Sequence, residues 1–115
     1  MPIDVDIWVR GTTHATTHAI ANVSSDPSTW DDADIGTLLT EMLLALDRAR
    51  HPGGQTPTVT LRGFNWIVSS FDSGVVLHLE MQMGSASAGP FAMDESRLTA
   101  MIERVMETEP RATVH

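Results

Sequence analysis

Residues 3 to 10 alternate almost without error: Ile3, Val5, Ile7 and Val9 are apolar, and Asp4, Asp6, Trp8 and Arg10 fill the positions between them. Successive side chains of a strand point to opposite faces, so this stretch predicts a strand with one buried side. Gly11-Thr12-Thr13 reads as a turn, and Thr16 to Val23 as a returning strand, because its threonines suit a pleated surface better than a helix. The repeat T-T-H-A-T-T-H-A over 12 to 19 sets His14 and His18 four positions apart. On a helix that spacing rises only ~6 Å and two imidazoles could share an ion. On a strand it spans roughly 13 Å, so the strand reading removes the chelate.

After the loop S-S-D-P-S-T-W, the period changes from two to that of a helix. Asp31, Asp32 and Asp34 supply negative charge where a helix begins. Ile35, Leu38, Leu39, Met42, Leu46 and Ala49 then form one apolar stripe, Arg48 and Arg50 lie in the last turn, and Pro52-Gly53-Gly54 ends the element. Leu43 and Leu44 lie outside the narrow stripe and predict a second contact for this helix, with another copy of the chain.

Alternation returns in Thr56 to Val68, with Val59 and Leu61 brought into phase with Phe64, Trp66 and Val68 by a bulge at Arg62-Gly63. Ser69 to Gly74 supplies a turn, and Val75, Leu77, Leu79, Met81 and Met83 alternate with Val76, His78, Glu80 and Gln82 as a fourth strand. G-S-A-S-A-G-P over 84 to 90 reads as a flexible loop. Asp94 caps a second helix carrying Leu98, Met101, Ile102, Val105 and Met106. The expected fold is α+β: a two-layer sandwich, a four-stranded antiparallel sheet with two helices on one face, in the order ββαββα. Residues 1–107 form one domain and 108–115 a flexible C-terminal tail.

Composition narrows the chemistry. The 115 residues include no cysteine and no lysine, which excludes thiolate metal sites, disulfides and catalysis by either side chain. Arginine without lysine, with much Ala, Thr and Gly, points to a GC-rich bacterial coding sequence. No apolar run is long enough for a membrane span, and M-P-I-D-V-D has neither the basic start nor the apolar stretch of a signal peptide, so a cytoplasmic chain is expected. Fifteen acidic residues against seven basic ones leave a formal charge of -8, which repels phosphates and attracts a basic protein. Neither nucleic acid nor a membrane surface is expected as a partner, and no cofactor is implied.

The outward positions Asp4, Asp6 and Trp8 of the first strand and His78 and Glu80 of the fourth would meet if those strands were neighbours. Trp30, Asp31 and Asp32 form a second candidate contact, with Trp30 either exposed for recognition or folded back on the helix start. The acidic trio lacks the glycine and distal Glu of a calcium loop. No G-x-S-x-G, G-x-x-x-x-G-K-[ST], G-x-G-x-x-G or H-E-x-x-H occurs. Ser69, Ser70, Asp72 and His78 make a weak nucleophilic set around one hairpin.

The leading expectation is therefore a non-catalytic protein-interaction module and homodimer. Its acidic docking surface of Trp8, Trp30, Asp31, Asp32, Asp4, Asp6, His78 and Glu80 would receive a basic protein partner, in the manner of an inhibitor or toxin-neutralising protein, and Leu43 and Leu44 would form the dimer contact. One alternative is a small enzyme with an inter-subunit acid-base or metal site using His78, Glu80 and His18. Another is a small-molecule sensor with residues 84 to 90 as a lid.

Overall fold

The computed structural model describes residues 3–13, 15–20, 23–24, 26–50, 64–71, 74–82 and 84–108. His14, Val59, Leu61, the bulge at 62–63, Asp72 and the tail beyond Thr108 lie outside them. The elements are β1 (Ile3–Val9), β2 (Thr16–Ile20), a 3-10 turn at Pro27–Thr29, α1 (Asp32–Arg50), β3 (Asn65–Phe71), β4 (Gly74–Met81), β5 (Gly84–Phe91) and α2 (Glu95–Thr108). One antiparallel sheet has the order β2-β1-β5-β4-β3.

The α+β sandwich holds, with five strands instead of four. The correction concerns residues 84 to 90: the stretch read as a flexible loop is β5, the central strand. Its alternation is written in small residues. Ala86 and Ala88 are buried and face the helices, while Ser85 and Ser87 face the other way. The inward positions are alanines because α1 crosses directly over this strand, where larger side chains would hold the layers apart. Gly84 has φ +153°, and a Cβ there would run into the Trp8 carbonyl on the neighbouring strand. A stretch rich in Gly, Ser and Ala is thus held by close approach on both sides.

Both helices cover one side of the sheet. Ile3, Val5 and Ile7 of β1, Val75, Leu77 and Leu79 of β4, and Ala86 and Ala88 of β5 are buried beneath them. Ile35, Leu38, Leu39, Met42 and Leu46 of α1 and Leu98, Met101 and Ile102 of α2 complete the core. Asp31 caps α1 reciprocally with Asp34: the Asp34 amide donates to Asp31 Oδ1 and the Asp31 amide to Asp34 Oδ2, each at 3.0 Å. At α2 the Arg97 amide donates to Asp94 Oδ2 at 3.3 Å, so Asp94 is the expected cap.

The dimer role read for Leu43 is corrected by its burial, at 5% exposure, in the chain's own core. The helix carries a wide apolar face because it lies over β1, β2 and β5 while α2 packs along its flank. Leu44 is half-buried.

Candidate functional site

Among the described residues nothing covers the side of the sheet away from the helices, and register assembles its rows. Thr17, Asp6, Ser87, His78 and Ile67 lie directly opposite one another in sequence across all five strands. Trp8, Ser85, Glu80 and Asn65 form the next row. β1 and β4 are therefore not neighbours, as the meeting of their outward residues had required, since β5 runs between them.

That insertion gives the face its shape. Ser85 and Ser87 on β5 are short and form a floor; Asp6 and Trp8 stand along one side and His78 and Glu80 along the other. The two walls are two strand spacings apart, roughly 9–10 Å. Asp4, Asp6 and Glu80 are exposed, and Trp8 retains 37% of its surface. Trp8 Nε1 donates to the Thr12 carbonyl at 3.2 Å, which ties the indole to the residues that follow β1. Glu80 also lines a concavity of about 460 Å³ with Arg10, Asn65 and Gln82, where Arg10 Nε donates to the Gln82 carbonyl at 2.6 Å.

Hydrogen bonds orient the walls. Thr17 Oγ1 donates to Asp6 Oδ1 at 2.8 Å. His78 Nδ1 lies 2.7 Å from Ser87 Oγ, and its Nε2 is 3.6 Å from Glu80 Oε2. Serine, imidazole and carboxylate thus form a line on the open face. Of the weak nucleophilic set expected around the β3–β4 hairpin, Asp72 lies outside the described residues, and Ser70 Oγ donates to Glu95 Oε1 at 2.5 Å. Ser87 is not among the sequence-predicted site residues, since a Gly-, Ser- and Ala-rich stretch predicts a loop; the alternation S-A-S-A is the signal that marks its strand.

Trp30, Asp31 and Asp32 lie in the helix layer and do not join this face. The reading of Trp30 as a docking residue is corrected: it is 3% exposed, its ring meets Phe91 edge-on with centroids 4.9 Å apart, and its Nε1 donates to the Ser24 carbonyl at 2.8 Å. It packs back onto the fold, the alternative its loop position allowed. Arg97 donates to the carbonyls of Pro27 (2.8 Å) and Trp30 (2.6 Å) and pins the same loop. Arg104 forks onto Asp32 through Nε and Nη2 at 2.9 Å each, which holds the Asp32 carboxyl below its ordinary value of 3.8. These groups line a shallow cleft of about 470 Å³ whose arginines already have protein partners.

His18 pairs with Val5 at the β2 edge, half-buried on the helix side, where its Nε2 meets Thr16 Oγ1 at 2.8 Å. It therefore stands on the opposite side of the sheet from His78. Among the described residues no three His, Asp or Glu side chains gather as a ligand set. Among the same residues, no helix is long and apolar enough to cross a membrane. Comparison of the chain with family models, curated proteins and solved structures gives no match.

Proposed function

We propose that the chain is a protein-interaction module of a bacterial cytoplasmic system whose uncovered sheet face docks a basic segment of a protein partner, as an inhibitor or neutralising protein would. One observation carries the reading: the serine-floored trough, with Asp6 and Trp8 on one wall and His78 and Glu80 on the other. An extended chain fits such a channel, and arginines along it would find a carboxylate on each side. Trp8 adds an aromatic surface on which a guanidinium can stack. The chain's formal charge of -8 draws such a partner in and repels polyanions.

The test is a titration with an arginine-rich peptide, followed by amide chemical shifts at low salt. Perturbations at Asp4, Asp6, Trp8, Ser87 and Glu80 that vanish in Asp6→Asn/Glu80→Gln support the reading. Binding confined to the Asp31–Asp34 helix start, or no binding, removes it.

The line Ser87, His78, Glu80 favours a second reading, a small hydrolytic enzyme in which His78 takes the Ser87 proton. Against it, the trough is open to water, no polar or charged side chain is buried among the described residues, and the strand amides around Ser87 belong to the sheet ladder and do not converge on an oxyanion. Labelling of Ser87 by a fluorophosphonate, lost in His78→Ala, would establish that reading; an unlabelled Ser87 leaves the docking face.

A further inference from the structure

The strand that closes one side of the sheet has the composition of an interior strand. β3, N-W-I-V-S-S-F, contains no charged residue and no proline, the two features with which proteins commonly blunt an edge. It carries large apolar side chains on both sides. Trp66 and Val68 turn toward the helix layer and remain half-buried, while Ile67 and Phe71 on the uncovered side are 51% and 60% exposed. Trp8, at 37%, is the other exposed large apolar side chain among the described residues. The opposite edge differs: β2 offers Thr16, Thr17 and His18, whose side chains are engaged with one another or with Asp6. Among the described residues, β4 is the one strand paired with β3, and no other described strand meets its outer row of amides and carbonyls.

We infer that two copies of the chain pair antiparallel through β3, making one continuous ten-stranded sheet from two five-stranded ones. Charge selects a second copy as the occupant. At -8 each, two copies meeting face to face would set Asp4, Asp6 and Glu80 against their counterparts. Along β3 they meet with no formal charge on either strand. A basic partner, by contrast, is drawn to the carboxylates of the trough and finds no opposite charge on β3.

The strand is also self-complementary. A twofold axis normal to the sheet and passing by Val68 pairs all seven residues, Val68 with the partner's Val68 and Asn65 with the partner's Phe71. It keeps both helix layers on one side and both troughs on the other. Ile67 and Phe71 of the two copies then form a single apolar strip across the seam, diagonal neighbours in reach of one another. Main-chain hydrogen bonds bind the edges, and this strip and the Trp66 and Val68 side supply the apolar burial. The inference is independent of what the trough binds.

Sedimentation of the wild-type chain should give twice the 12.5 kDa chain mass. Ile67→Lys/Phe71→Lys changes two solvent-facing positions, so the apparent mass should halve while far-UV circular dichroism and the thermal midpoint of the monomer stay native-like. In hydrogen exchange, alternate β3 amides should become slower as wild-type concentration rises, and should not in the double variant. A wild-type chain of 12.5 kDa at every concentration overturns the inference. So does a dimer that persists in the double variant, or one that Leu44→Glu dissociates while the double variant does not. Asp6→Asn/Glu80→Gln should leave the mass unchanged whatever it does to peptide binding, which separates this result from the docking test.

Discussion

Ser87 on the central strand and His78 on β4 stand directly across from one another, and their side chains meet at 2.7 Å on the uncovered face of the sheet. The bond draws the imidazole toward the serine floor of the channel between β1 and β4. Ser87→Leu would fill that channel from a solvent-facing position. The variant should fold and lose only the net worth of one hydrogen bond, about 0.5–1.5 kcal/mol, yet should no longer bind an arginine-rich peptide. Calorimetric titration beside denaturant unfolding checks both halves.

Trp30 and Phe91 form an aromatic pair in the core, 4.9 Å apart at an interplanar angle of 70°. Trp30→Ala should destabilise the chain by about 3–5 kcal/mol, since it empties a site between the loop and the sheet. Trp30→Phe should cost less, because a ring remains while the bond to Ser24 is lost. Urea midpoints measure the difference. A residue serving only as an external docking contact would change stability by no more than about 0.5 kcal/mol.

Two glycines with positive φ separate strain from crowding. Gly11 has φ +94° and open space around a hypothetical Cβ, whereas at Gly84 the Cβ would meet the Trp8 backbone. Gly11→Ala should cost about 1–2 kcal/mol from backbone strain alone. Gly84→Ala should cost distinctly more and loosen the β1–β5 pairing, visible as faster exchange of β5 amides.

The Asp32–Arg104 pair predicts a pH dependence whose sign follows from its cause. The hydrogen bonds from Arg104 hold the folded Asp32 carboxyl below 3.8. Its contribution is therefore present above that ordinary value and disappears as the pH falls through the lower folded one. Both groups are exposed, so the effect on stability is small and weakened by salt. Carboxyl chemical shifts should show Asp32 titrating below the ordinary range, and Arg104→Ala should return it there.

Much of this architecture was readable from periodicity. The alternation of Ile3, Val5, Ile7 and Val9 and of Val75, Leu77 and Leu79 located two strands and their inward faces, and the stripes of α1 and α2 located the helices with their Asp31 and Asp94 starts. The outward residues Asp4, Asp6, Trp8, His78 and Glu80 were legible too, because period two assigns a face as soon as its opposite is apolar. Trp30 was not. A tryptophan between Thr and Asp has no periodic neighbour to assign it, and its burial depends on Phe91, 61 positions further along.

By itself the sequence determined the layer type, the inward faces and the charge, since each is a property of consecutive residues. Only the tertiary structure decided that Gly84 to Phe91 is the middle strand and not a loop, and hence that a serine floor lies between Asp6 and Glu80. Alanine and serine carry too little hydrophobic contrast to announce a strand. What holds them in one is the closeness of α1 above and of β1 and β4 on either side, a condition set by long-range packing.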